Sequence, residues 1–201
     1  MQQRIVEEAH KLFLTYGIRS ISMDEIALKL GISKKTIYQY YKDKDELVDA
    51  VFNIEMHQHK VDCECNIVKC KDAIHEVFLA LDSVKETFKA MHPLIFFDLM
   101  KYHPGVYKKF NTHKTNFFYE VIKSNIERGV QEGLYRPDIN IDIISKYRVV
   151  CIFQILENEQ FQEVKVPIVE IMQETTEHFL YGLATPKGAR LVKKYTQKRT
   201  K

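Results

Sequence analysis

Glycine and proline are scarce in this chain, with seven and five among 201 residues. Nowhere does an alternating apolar–polar run sit between turn-forming pairs, so half-buried strands and hairpins are not expected. No apolar run approaches the ~18 residues that a membrane span needs. The longest, "VVCIFQIL" from Val149 to Leu156, has the length of a buried helix segment. The opening "MQQRIVEEAHKLF" reaches charged residues at once and has no apolar stretch of the secretory type. Signatures of catalysis are also missing: no Gly-rich phosphate loop, no GxSxG and no HExxH. Neither catalytic residues nor a cofactor are expected.

What remains is an ordinary globular composition, 45% hydrophobic and 28% charged, in a chain long enough for a substantial interior. The expectation is an all-α protein. Its net charge of +3 is unevenly spread. Lys29, Lys34, Lys35, Lys42 and Lys44 crowd one short segment against Asp43 alone, and the tail from Lys187 to Lys201 has no acid. The body between is mildly acidic. Two basic regions on such a body suit a face that meets a polyanion.

The first helix reads from Gln2 to Tyr16, with Ile5, Ala9, Leu12, Phe13 and Tyr16 on one face and Gly17 as its stop. Ser22 followed by Glu25 is a capping box for a second helix whose stripe is Ile26, Ala27 and Leu30. Gly31 ends it. Ser33 caps a third helix, roughly Lys34 to Tyr41, and Asp43 with Glu46 caps a fourth with the stripe Leu47, Ala50, Val51 and Ile54, extending to about His59.

Two helices joined by a tight Gly31 turn make a helix-turn-helix, whose second helix enters the DNA major groove. Ile37 and Tyr41 face inward. Lys34, Lys35, Tyr38 and Gln39 are left outward, with Tyr40 at the edge, and they offer donors and flat faces for base edges and phosphates. Ser22, Ser33, Thr36, Tyr40 and Lys44 are expected mainly on the DNA backbone, helped by N–H groups at the start of the fourth helix.

Together "SISMDEIALKLGISKKTIYQYYKDKDEL" resembles the N-terminal DNA-binding domain of TetR/AcrR-type transcriptional regulators. The shared residues are Ser22, Ile26-Ala27, Gly31-Ile32-Ser33, Thr36-Ile37-Tyr38, and Lys44 with Leu47. Many members have a small residue at the place of Lys35 and histidine at that of Gln39 or Tyr40, so no operator sequence is implied. The resemblance implies a three-helix DNA-binding domain over residues 1–47 and a larger helical effector-binding and dimerisation domain over 48–201. It implies a homodimeric repressor on a palindromic operator of double-stranded DNA, released by a small effector and working in the cytoplasm. An all-α interaction protein without DNA binding is the competing class.

In the body, helices are expected near 72–91, 93–102, 104–132, 141–157 and 167–184, with Pro93 and Pro104 in first turns. Gly133 and Pro137 close the long one. The segment 141–157 is apolar nearly all round, through Ile143, Ile144, Tyr147, Val150, Cys151, Phe153 and Ile155. It is expected to pack on the body and, with the helix carrying Phe179, on a partner subunit. Phe78, Phe96, Met100, Tyr107, Phe117, Phe118 and Tyr147 are candidates for lining an apolar effector cavity. His57, His59, Cys63, Cys65 and Cys70 are potential soft ligands, but their spacing is irregular with no CxxC pair. A helix end and loop with reduced cysteines is the reading there, and no metal is expected. The basic tail from Lys187 could touch DNA, but a solvated, frayed C-terminus is the expectation there.

Overall fold

The computed structural model describes residues 1–92, 94–157 and 165–199. Pro93, expected in a first turn, lies outside them. The described chain is helical in this order: α1 (Gln2–Tyr16), α2 (Met23–Leu30), α3 (Lys34–Tyr38), α4 (Lys44–Lys69), α5 (Ala73–Ala90), α6 (Ile95–Tyr102), α7 (Pro104–Gln131), α8 (Ile141–Glu157), α9 (Ile168–Leu183) and α10 (Pro186–Gln197). One isolated bridge, Tyr135 to Ala184, is the single extended pairing among the described residues. None of their helices is long and apolar enough to cross a membrane.

The chain divides into two compact units. The first holds Met1–Lys60 and Thr87–Lys114; the second holds Val61–Glu86 and Thr115–Lys201.

In the first unit Ile5, Ala9, Phe13, Ile18, Ile26, Ile37 and Leu47 have no accessible surface. Each large one of these contributes about 1.5–3 kcal/mol of burial. Ile95, Leu99, Val106 and Phe110 belong to the same core, and Phe110 meets Phe52 edge-to-face at 5.1 Å. This second cover rotates the buried stripe of α4. Val48, Phe52 and Met56 go inside, while Ile54, expected inward, is exposed. Tyr16 is likewise exposed, where the first-helix pattern places it inside. Polar ties reinforce the packing. The Arg19 N–H donates to Asp98 Oδ2 at 2.9 Å, and His103 Nδ1 lies 2.5 Å from Asp45 Oδ1. Gly17 turns at φ 83°, where a Cβ would press on Asp98 Oδ2 at 3.1 Å.

The second unit is organised around a buried polar network. Asn125 Nδ2 donates to the Ala73 carbonyl and to Glu76 Oε2, both at 2.9 Å, and Tyr135 Oη donates to Asn125 Oδ1 at 3.3 Å. Arg128 Nη2 pairs with the same Glu76 carboxylate at 2.5 Å. Tyr135 reaches that position by packing closely against Gly129, where a Cβ would come within 2.0 Å of its ring. Helices α8 and α9 line a groove of about 600 Å³ that includes Tyr147, Arg148, Val150, Cys151, Glu174 and Phe179.

Two expectations fail here. The tail is a docked helix: Thr185 accepts from the Gly188 N–H, Pro186 opens α10, and Gly188 leaves room for the Leu134 carbonyl. Val192 and Tyr195 are buried, and Tyr195 Oη donates to Asp72 at 2.6 Å. The threonine–proline start is the sequence signal for this helix. The second failure concerns α4, which continues helical through the Cys/His stretch to Lys69 rather than ending near His59.

Candidate nucleic-acid interface

Each local signal of the helix-turn-helix is realised in atoms. Ser22 Oγ accepts from the Glu25 N–H at 3.2 Å while Glu25 Oε2 accepts from the Ser22 N–H at 2.6 Å, closing the capping box. The backbone bond and then the hydroxyl bond from Ser22 lower the Glu25 pKa. Gly31 takes the left-handed conformation, φ 65° and ψ 33°, which ends α2 and redirects the chain. Ser33 Oγ then accepts from the Thr36 N–H at 3.1 Å to begin α3. Asp43 Oδ1 accepts from the Glu46 N–H at 2.9 Å, and Glu46 reaches back to the Lys42 N–H at 2.5 Å.

On α3 and the turn after it the side chains divide sharply. Ile37 is fully buried and Tyr41 nearly so, whereas Lys34, Lys35, Tyr38, Gln39 and Tyr40 are exposed. The helix ends at Tyr38, shorter than expected, although Tyr41 N–H still donates to the Ile37 carbonyl at 3.0 Å. Tyr38 and Tyr40 keep 45% and 40% of their surface, which leaves their rings available for stacking or hydroxyl donation. Lys34 is tethered to Asp24 at 2.7 Å, an exposed pair worth little in water that a phosphate could displace. Lys35 and Lys42 are exposed as well; Lys42 lies between the helices, where no periodic pattern singles it out in the sequence.

Lys44 is different. Its ammonium donates to the carbonyls of Ile18, at 2.6 Å, and Ile21, and it sits 5.7 Å from the Phe13 ring centroid. Burial lowers its pKa, against the raising effect of Asp98 and Glu25. Two of its three donors therefore hold the α1–α2 loop.

The other candidate groups are less convergent. Phe96 stacks on Phe110 at 6.2 Å, Tyr107 packs on the same core, and Met100 is exposed; all three belong to the first unit. Phe78, Phe117, Phe118 and Tyr147 belong to the second. There Phe78 is buried beneath the Arg199 guanidinium at 4.7 Å. Phe118 meets Phe117 and Phe153 edge-to-face at 5.4 and 5.7 Å, and Tyr147 lines the α8–α9 groove. Among the described residues no three His, Cys, Asp or Glu groups assemble a cation site. His57 and Cys65 are exposed; His59 faces Glu55 at 3.9 Å; Cys70 accepts from Arg128 Nη1 at 3.3 Å. Burial, then the neighbouring acids, pushes the Cys63 thiol up to about 11.

Residues 5–51 match the family described as "Bacterial regulatory proteins, tetR family". This segment is thus similar to the DNA-binding domain of that family. It is 34% identical over 106 residues to the uncharacterized HTH-type transcriptional regulator YvaF of Bacillus subtilis, covering 51% of this chain and 54% of that one. It is 52% identical over 56 residues to the HTH-type transcriptional regulator SAB2452 of Staphylococcus aureus, covering 28% and 30%. The chain thus spans about half the length of the first of these relatives and less of the second. Similarity of fold runs further. A transcriptional regulator from Cytophaga hutchinsonii superposes with a TM-score of 0.73 at 19% identity, over 91% of this chain and 98% of that one. The fatty acid degradation regulator FadR of Bacillus halodurans gives 0.67 at 13%, over 90% and 95%.

Proposed function

We propose that this chain is a TetR-type, cytoplasmic DNA-binding transcriptional regulator, a repressor that holds a palindromic operator as a homodimer. A small, mostly apolar effector would release it. One observation carries the reading: α3, anchored by buried Ile37 and capped by Ser33, and the turn that follows it hold Lys35, Tyr38, Gln39 and Tyr40 outward together. Cation, amide and ring on one short helix and its C-terminal turn match the needs of phosphate contact and base-edge readout. Ser22, Ser33, Lys34, Thr36 and Lys44 are assigned to the DNA backbone, in each case with a side chain that also shapes the domain.

Dimerisation is assigned to α8 and α9. Ile143, Tyr147 and Val150 on α8 keep more than half of their surface, and Tyr181 on α9 nearly half. So much exposed apolar area on two adjacent helices suits a second copy. Release requires an effector that favours a conformation with wrongly placed recognition helices. The aromatic candidates, with Phe117 and Phe118 foremost, are assigned to its contact, and the unbroken α4 to transmission.

Nuclease footprinting on the DNA upstream of the chain's own gene tests the reading. Two protected half-sites with two-fold symmetry, centred about 10 base pairs or a multiple apart, are expected. No protection at low salt would overturn it.

A further inference from the structure

Arg148, near the middle of α8, is buried to 7% exposure, yet no carboxylate pairs with it among the described residues. Its Nη2 donates to Thr176 Oγ1 at 2.6 Å and its Nη1 reaches the Thr175 carbonyl at 3.5 Å. The guanidinium lies 4.7 Å from the Phe179 ring centroid. Neutral acceptors and a ring face are poor compensation for a buried cation. Burial pulls its pKa down to about 10, against the raising effect of Cys151 and Tyr147.

Arg148 lines the α8–α9 groove, and so does Glu174. Glu174 is exposed and has neither an ion pair nor a hydrogen bond among the described residues. The groove's other arginine, Arg136, already pairs with Asp138 at 3.4 Å and donates to the Gly182 carbonyl at 2.8 Å. One mostly apolar groove therefore carries a buried cation and a carboxylate, Arg148 and Glu174, that do not meet within the subunit. Simple burial by a foreign apolar partner would leave both uncompensated. An isologous contact instead sets a patch against itself, so each copy can supply what the other lacks.

We propose that Arg148 pairs across the two-fold axis with Glu174 of the partner subunit, and that the reciprocal pair forms at the same time. Two desolvated ion pairs then fix the register of the homodimer and restrict this chain to partners carrying both charges. The inference rests on the homodimer proposed above and adds the residues that select it.

Sedimentation of the full chain over a concentration series tests it. The unaltered chain is expected to be a dimer at micromolar concentration; a monomer there overturns the homodimer reading itself. Glu174→Arg, at an exposed position, is expected to weaken the dimer at least about tenfold, and Arg148→Glu likewise. An equimolar mixture of these two variants is expected to form heterodimers of nearly normal affinity, since each offers the charge that the other needs. A mixture as weak as the separate variants, or a single variant that dimerises normally, would overturn the pairing. Circular dichroism reports whether Arg148→Glu folds. If it does not, Arg148→Met and Glu174→Met, singly and together, decide the matter through a double-mutant cycle. A double loss well below the sum of the two supports the pairing; additive losses overturn it.

Discussion

The ammonium of Lys44, at the first residue of α4, donates to the Ile18 carbonyl oxygen at 2.6 Å. A residue proposed above to contact the DNA backbone thereby holds the α1–α2 loop in place. Lys44→Met is expected to destabilise the protein by about 1–3 kcal/mol, because buried carbonyls lose a charged donor. It should also weaken every duplex alike. Chemical denaturation checks the first effect: an unchanged midpoint would mean that the clamp is dispensable.

Lys35→Ala and Gln39→Ala touch no core contact and should leave stability within about 0.5 kcal/mol. Their effects on DNA should diverge. Gln39→Ala is expected to change sequence preference by about 1–3 kcal/mol at one base position, as a lost base-edge contact does. Anisotropy with the operator and its single-base variants separates the two, and an equal loss on all duplexes would contradict base reading by Gln39.

Glycine substitutions on α7 should behave oppositely. At Gly129 a Cβ would fall 2.0 Å from the Tyr135 ring, so Gly129→Ala should cost about 1–3 kcal/mol or more and disturb the Asn125–Glu76 network. At Gly105 nothing lies within 4 Å, and Gly105→Ala should be neutral or stabilise by up to about 1 kcal/mol. Thermal unfolding of both variants gives the comparison.

Glu55 supplies a pH test. Burial raises its pKa, but the hydrogen bond and charge of His10, with His59 adding charge, outweigh that and hold it below 4.5. A lowered folded value means the stabilisation is present above 4.5 and lost as pH falls through the lowered value. Glu55→Gln should therefore be less stable than the unaltered chain at neutral pH, with the gap closing in acid. A gap independent of pH would show that this carboxylate's titration is not linked to folding.

Cys63 should be a poor nucleophile, since its thiol is raised to about 11 by burial. Iodoacetamide at neutral pH is expected to modify exposed Cys65 first. Mass spectrometry after a short exposure reads the order, and prompt modification of Cys63 would contradict it.

Much of the first unit is legible in the sequence because its signals are local. The Ser22–Glu25 box, the Gly31 turn, the Ser33 cap and the Ile37/Tyr41 spacing each act within about one helical turn, and all four appear in the structure. Long-range cover is not legible. Nothing near Ile54 announces that Phe110, more than fifty residues away, will draw Phe52 inward. Nothing near Lys44 announces the Ile18 carbonyl. In α10 two signals compete: the basic residues suggest solvation, while Thr185, Pro186, Val192 and Tyr195 spell a capped amphipathic helix, and the second prevails. The outward face of α3 can be read as donors and rings, but not as an operator sequence, because base preference depends on the groove geometry of the complex.

The central claim, that the α3 surface binds DNA, is tested most directly by a salt titration. Anisotropy of a labelled duplex from the chain's own promoter region should give an affinity that falls linearly on a log–log plot as salt rises, with a slope of about −0.9 for each phosphate neutralised. Lys35→Ala should reduce the magnitude of that slope by about 1 while the fold stays intact. No binding at low salt, or a slope unchanged by Lys35→Ala, would contradict the assignment of DNA contact to this surface.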